Sequence, residues 1–208
     1  MKSRSCWTLF VFIICFVSLA SGKGTDNSVQ ARKMFDYSYN LVFGPQGSTL
    51  HYNVNIIGIL KAEGTIWYKG KKSKFIEPRY NSWNNGVTEY WVDKKKKTVT
   101  VYDSDSPNKD SYLSKFTFFP DDYKYSLFEN DEGYIIVLDA IRKVKGVQHM
   151  KAIVDKKTFI PKSLKIRLLW FWTTVRISKF KSGNIKDDIF IYPSSSYNQY
   201  TVYDKRGK

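Results

Sequence analysis

The sequence predicts a mainly β (α+β) domain: a large antiparallel sheet that curls into a barrel, with one N-terminal helix to lie across it. Three observations predict it. About a dozen short segments rich in β-branched and aromatic residues follow one another from Leu50 onward, with turn residues between them. One stretch only, beginning at Asn27, carries apolar residues at helical spacing. Two segments, Tyr134–Leu138 (YIIVL) and Ile166–Trp172 (IRLLWFW), are apolar on both faces apart from Arg167, so the sheet must be covered outside or hold apolar material inside.

Residues 1–22 read as a cleavable export signal. Lys2 and Arg4 precede an apolar run of thirteen residues, Trp7–Leu19, and the small residues Ala20, Ser21 and Gly22 follow it. Such a run is shorter than the roughly 20 residues a helix needs to cross about 30 Å of hydrocarbon. Both cysteines, Cys6 and Cys15, lie within residues 1–22, so the expected mature chain has no disulfide, thiol nucleophile or thiolate metal site. Residues 23–208 then form one domain of 186 residues, soluble, exported and periplasmic. Its net charge is +13 of the original +15 once Lys2 and Arg4 are removed. That excess favours anionic partners, and across a membrane these are lipid head groups rather than nucleic acid.

The helix is expected over Asn27–Tyr39, with Asp26, Asn27 or Ser28 as N-cap. Ala31, Met34, Phe35, Ser38, Leu41 and Val42 form its apolar stripe, and Gly44-Pro45-Gln46-Gly47 ends it. Strands are expected at Leu50–Ile59, Ala62–Lys69, Lys74–Glu77, Val87–Val92 and Thr98–Tyr102. Others follow at Lys115–Phe118, Tyr123–Glu129, Tyr134–Ala140, His149–Asp155, Ser163–Phe171, Thr173–Lys181, Ile189–Tyr192 and Tyr200–Tyr203. A polar loop spans Ser104–Ser111, and a short helical turn is expected near Phe119–Asp122. Asn84-Asn85-Gly86 marks a tight turn in which asparagine and glycine accept left-handed backbone, and Thr88–Val92 and Thr98–Tyr102 pair through Lys94–Lys97.

Catalytic patterns are missing. His51 and His149 stand alone on separate strands, and no HExxH, CxxC, GxSxG or phosphate-cradling glycine loop occurs. Asp103-Ser104-Asp105 lacks the further ligands and the central glycine of a calcium loop. No cofactor or metal is expected. Two carboxylates converging from distant positions, as in a glycosidase, remain open.

Three places carry a resemblance to a known family. The first is the striped helix leading through a glycine turn into a long strand. The second is Gly64-Thr65-Ile66-Trp67-Tyr68-Lys69 with Phe75 downstream, followed by Trp83-Asn84-Asn85-Gly86-Val87-Thr88-Glu89-Tyr90-Trp91. The third is Phe190-Ile191-Tyr192-Pro193 with Tyr203-Asp204-Lys205-Arg206. In this order and spacing they resemble the LolA/LolB family of periplasmic outer-membrane lipoprotein carriers, in a divergent LolA-like branch, over essentially all of residues 23–208. Asn85 stands where that family's hairpin has aspartate, and Gly70 where LolA has a lid-holding arginine, with Lys69, Lys71, Lys72 and Arg79 nearby.

The resemblance implies a large curled antiparallel sheet forming an incomplete β-barrel covered by the N-terminal helix, and a non-enzymatic carrier that shelters the acyl chains of lipoproteins, or another lipid, for transfer to the outer membrane. Met34, Phe35 and Leu41 are then expected to close the mouth of an apolar cavity. Trp67, Phe75, Trp83, Trp91, Ile136, Leu138, Leu168 and Trp170 are expected to line it, although Leu168–Trp172 also reads as an exposed docking patch. The partners implied are an inner-membrane donor complex and an outer-membrane receptor, with the carrier monomeric; Lys94–Lys97 read as a solvated turn or, alternatively, as a patch meeting an anionic membrane surface. Two other readings stand beside it. One is a periplasmic sensor or interaction module of the same fold binding peptide or glycolipid. The other is an exported enzyme acting on polysaccharide.

Overall fold

The computed structural model describes residues 27–56, 60–106, 118–144, 147–168 and 170–207. The expected signal, the polar loop beyond Ser106 and residues 115–117 of an expected strand lie outside them. Helix α1 (Ser28–Phe43) is followed by β1 (Ser48–Ile56), β2 (Leu60–Lys69), β3 (Lys72–Ile76), β4 (Tyr80–Asn84), β5 (Thr88–Asp93) and β6 (Thr98–Asp103). After a 3-10 turn at Pro120–Asp122 come β7 (Tyr123–Asn130), β8 (Gly133–Ala140), β9 (His149–Val154), β10 (Pro161–Leu168) and β11 (Phe171–Ser182). Two further 3-10 turns, Asp187–Phe190 and Ser194–Tyr197, lead to β12 (Thr201–Asp204).

Among the described residues twelve strands join one sheet in the order β12-β6-β5-β4-β3-β2-β1-β11-β10-β9-β8-β7. The sheet does not close into a barrel: β12 and β7 are its two edges. Neighbours are antiparallel except β12 and β6, which run parallel because the chain returns through the C-terminal turns.

The two ends of the sheet bury opposite faces. From β7 to β3 the buried face is the one under α1. There Tyr125, Ile136, Leu138, Met150 and Val154 form one cluster with Ala31, while Leu50, Tyr52, Val54 and Ile66 form a second with Val42. From β4 to β6 the other face is buried. Trp83, Val92, Val99 and Val101 are covered by Tyr192, Tyr197 and Tyr200 of the C-terminal segment. Tyr90 and Tyr192 stack with centroids 4.3 Å apart. Cross-strand register makes the inversion visible, because residues directly opposite share a face. The row Leu50–Ile66–Phe75–Ser82–Trp91–Thr100 crosses β1 to β6 on the α1 side and turns from apolar to polar midway.

Several local expectations are corrected. Helix α1 runs to Phe43, where Gly44 N–H closes onto the Asn40 carbonyl. Its N-cap Asn27 makes no side-chain cap bond. Instead that amide donates to Leu127 O at 2.8 Å and accepts from Leu127 N at 3.1 Å, pairing with edge strand β7 as another strand would. Tyr80–Asn84, too polar to read as a strand, is β4, because it lies between β3 and β5 and its ladder is satisfied on both sides. The single strand expected at Ser163–Phe171 is cut by a turn at Trp170, and Leu168 pairs with Phe171. Ile189–Tyr192 is no strand. Asp187–Phe190 winds as a 3-10 turn pinned by ion pairs from Lys69 and Lys72 to Asp187, and Phe190 is buried. In the β4–β5 turn only Gly86 has left-handed backbone, φ +94°. Asn84 and Asn85 shape the turn through their side chains, which accept from the amides of Gly86 and of Val87 and Thr88 respectively.

Candidate functional site

The concave face beneath α1 is the candidate site. An aromatic ribbon runs through it, linking helix and sheet from one side to the other. Tyr123 contacts Phe118 at 5.1 Å between centroids, Phe118 contacts Phe35 at 5.7 Å, and Phe35 contacts Tyr39 at 5.8 Å. Tyr39 and Phe43 follow at 4.6 Å, Phe43 and Tyr68 at 4.6 Å, and Tyr68 and Phe75 at 6.0 Å. Residues 35, 39 and 43 lie four apart, so one helix face presents all three rings. Burial pushes the phenols of Tyr39, Tyr68 and Tyr125 above the ordinary tyrosine range, so all three stay neutral at physiological pH.

Helix α1 is tethered at both ends by polar contacts. Besides the Asn27–Leu127 pair, Arg32 bonds Asp36 at 2.8 Å and Asp121 at 2.9 Å and reaches Pro120 O. At the other end Ser182 Oγ donates to Leu41 O, Ser48 Oγ to Val42 O and Gly70 N–H to Phe43 O. These satisfy carbonyls that a helix end otherwise leaves orphaned.

Of the predicted site residues, Met34, Phe35, Ile136 and Leu138 are brought together in one cluster, the last two fully buried. Phe75 joins the adjoining cluster. Leu41 is half-buried, and it is Val42, one residue on, that packs into the core. Trp91 shares the concave face but lies two strands beyond Phe75, half-buried, its ring 5.4 Å from that of Tyr80. Trp67 and Trp83 occupy the opposite face, because their positions alternate with Ile66 and Ser82. Lys74 sits over both rings, and Trp83 is buried under Tyr192 and Tyr197. Trp170 is exposed at the β10–β11 turn. Leu168 ends β10, and its side chain lies outside the described ones.

The ribbon residues Tyr39, Phe43, Tyr68, Phe118 and Tyr123, and Tyr125, whose ring lies 5.4 Å from that of Phe35, are missing from the sequence-based set. The four-residue spacing of 35, 39 and 43 was the available signal; the strand tyrosines gave none, since either face accepts a tyrosine. Polar features also lie on this face. Tyr52 donates a hydrogen bond to Glu77, and Gly64 leaves the space, since a Cβ there would approach the Glu77 side chain at 2.9 Å and the Tyr52 ring at 3.3 Å. Burial raises the Glu77 carboxyl above the usual carboxylate range, opposed by that bond and by Lys94. The hydroxyls of Ser82 and Thr173 are buried without a hydrogen-bond partner.

Lys69, Lys72 and Arg79, near Gly70 in the sequence, act away from α1. Lys69 and Lys72 hold Asp187, and Arg79 pairs with Asp93 at 3.1 Å, so all three brace the C-terminal segment or the β5–β6 turn rather than α1. His149 Nδ1 meets Asp139 Oδ1 at 2.6 Å on the outer face. Among the described residues no group of three or more His, Cys, Asp or Glu is placed to hold a metal ion. No helix among them is long and apolar enough to cross a membrane.

No protein-family profile matches the sequence, and no curated protein does. Solved structures do match. An uncharacterized conserved protein from Thermus thermophilus shares 10% identity at a TM-score of 0.58, covering 85% of this chain and 99% of that one. A putative outer membrane lipoprotein-sorting protein domain from Vibrio parahaemolyticus shares 10% identity at 0.42, covering 82% and 99%. A LolA superfamily protein from Nitrosomonas europaea shares 11% identity at 0.38, covering 78% and 97%. The fold, an open curled antiparallel sheet with one helix across its concave face, is shared with the Thermus protein, and at such identity the likeness concerns fold alone.

Proposed function

We propose that this chain is a periplasmic carrier that shelters acyl chains, of lipoproteins or of another lipid, between α1 and the concave face of the sheet. The observation that carries the reading is the aromatic ribbon from Tyr123 to Phe75, which offers a continuous apolar track bounded on one side by a single helix. The sequence resemblance to the lipoprotein carriers points the same way.

The energetics fit a movable cover. Taking an acyl chain of about sixteen carbons out of water gains on the order of 12 kcal/mol, at about 0.8 kcal/mol per CH₂. The hydrogen bonds tethering α1 are neutral or at least part-exposed and contribute about 1 kcal/mol each, together roughly 7 kcal/mol. When the helix lifts, its packing on the sheet gives way to packing of helix on acyl chain and acyl chain on sheet, which is of the same apolar kind. Acyl burial therefore exceeds what holds the helix down, while the tethers keep the empty protein closed and the ribbon away from water.

The experiment is native mass spectrometry of residues 23–208 purified from the periplasm, followed by titration with a fluorescent long-chain fatty acid. Bound lipid and saturable one-to-one probe binding, weakened at least tenfold by Phe35→Ser with Tyr68→Ser, are expected. A protein that carries no lipid and binds no probe refutes the carrier reading and leaves the concave face as ordinary core.

A further inference from the structure

The outward face of the sheet at β9–β11 has features the acyl-binding reading does not use. The β10–β11 hairpin turns at Trp170, which is 82% exposed, the highest value for a large hydrophobic side chain among the described residues. Trp172, 42% exposed, faces away from α1 and sits opposite Arg167. Lys151 Nζ lies 4.9 Å from its ring centre. Lys165 is in register with Lys151 on one side and Thr174 on the other, and Arg176 follows Thr174 on the same face.

Lys151, Lys165, Arg167 and Arg176 have no ion pair to an acidic side chain among the described residues. Of the acids nearest the tryptophans, Asp139 is engaged by His149 and Asp122 by Arg142; Asp131 and Glu132 line one groove with Lys165 and Arg176 farther along the strands. At this same end of the strands the chain after β8 exposes Ile141 and Lys143. A groove of about 690 Å³ continues the band past Lys165 and Arg176 toward Asp131 and Glu132, where Lys162 is held by Asp155.

We propose that this end of the β9–β11 face docks on a bilayer carrying anionic phospholipid, with Trp170 entering the interfacial layer and the four cations lying over head-group phosphates. Charge complementarity selects the occupant. Interface cores between proteins are depleted of charge, whereas here Lys151 and Arg167, which make no ion pair among the described residues, flank Trp172. Tryptophan settles at the head-group level of a membrane, and basic side chains beside it gain from the negative surface potential. The surface lies across the sheet from the ribbon, so the inference does not rest on acyl binding.

The test is co-sedimentation of residues 23–208 with phosphatidylcholine vesicles and with vesicles in which about a third of the lipid is phosphatidylglycerol. Binding to the anionic vesicles alone is expected. Lys151→Gln, Lys165→Gln and Arg167→Gln together lower the partition coefficient about a hundredfold, at about fivefold per charge. Trp170→Ser lowers it several-fold, and brominated acyl chains quench the wild-type tryptophan emission more than that of the Trp170→Ser protein. Substitutions at these surface positions leave the melting temperature and the fatty-acid titration unchanged, so a failure here is distinct from a failure of the carrier reading. Equal binding to both vesicle types, no binding to either, or anionic binding indifferent to Trp170 overturns the proposal.

Discussion

The Asn27–Leu127 contact is a test of how α1 is held. Asn27→Ala removes two neutral hydrogen bonds, of 2.8 and 3.1 Å, between the start of the helix and the edge strand β7. At about 0.5–1.5 kcal/mol each the loss is about 2 kcal/mol. Two details fix that magnitude. The freed amide and carbonyl of Leu127 lie on an open edge, where water replaces the lost partner, so no full desolvation penalty is added. The usual penalty for deleting an N-cap does not apply, because the Asn27 side chain makes no cap bond. For a domain of this size the melting temperature falls by about 4–8 °C. Asn27→Asp is the discriminating companion. Its carboxylate still accepts from Leu127 N–H but faces the Leu127 carbonyl without a proton to donate, so at neutral pH it destabilises at least as much as alanine. On acidification the neutral carboxyl donates again and part of the loss is recovered. The assays are thermal denaturation and hydrogen exchange at the Leu127 amide, which should lose protection in Asn27→Ala. A melting temperature within 1 °C of wild type (roughly a quarter of a kcal/mol), with Leu127 still protected, would refute the idea that this side chain pins the helix.

Three further outcomes follow from the site. Glu77 carries a carboxyl raised by burial, so its contribution to stability is largest below the unfolded value near 4.5 and declines as pH rises through the folded value. Glu77→Gln does not titrate, so its melting temperature should rise relative to wild type between about pH 4.5 and 7; a constant difference across that range contradicts the burial argument. Thr173→Val removes a buried hydroxyl that has no partner while keeping its shape, and should stabilise the empty protein by about 1 kcal/mol; a lower melting temperature would mean that the hydroxyl is satisfied. Ile136→Ala, at a fully buried position, should cost about 2–5 kcal/mol by denaturant titration, and a loss under about 1 kcal/mol would show that this part of the concave face is not tightly packed.

The helix, its apolar stripe and its stop at Gly44 were legible because they rest on local chemistry: periodicity, and a glycine that breaks it. Most strands were legible for the same reason, since alternation such as Leu50, Tyr52, Val54 against His51, Asn53 survives in any context. β4 was not, because Tyr80-Asn81-Ser82-Trp83-Asn84 lacks strand propensity and becomes a strand only between two partners. Asn27 looked like a cap and serves instead as a substitute strand partner for β7, a contact a hundred residues away in sequence.

The sequence by itself determined the class of fold, one covering helix and a wealth of aromatic side chains. Only the tertiary structure decided which aromatics meet. Trp67 and Trp83 look equivalent to Phe75 in composition, yet they lie on the other side of the sheet, and Trp170 stands at a turn hidden inside an apolar run. The reason is geometric. A strand sends alternate residues to opposite faces, and which face is inside depends on what covers it. Here α1 covers one face from β7 to β3, and the C-terminal segment covers the other from β4 to β6.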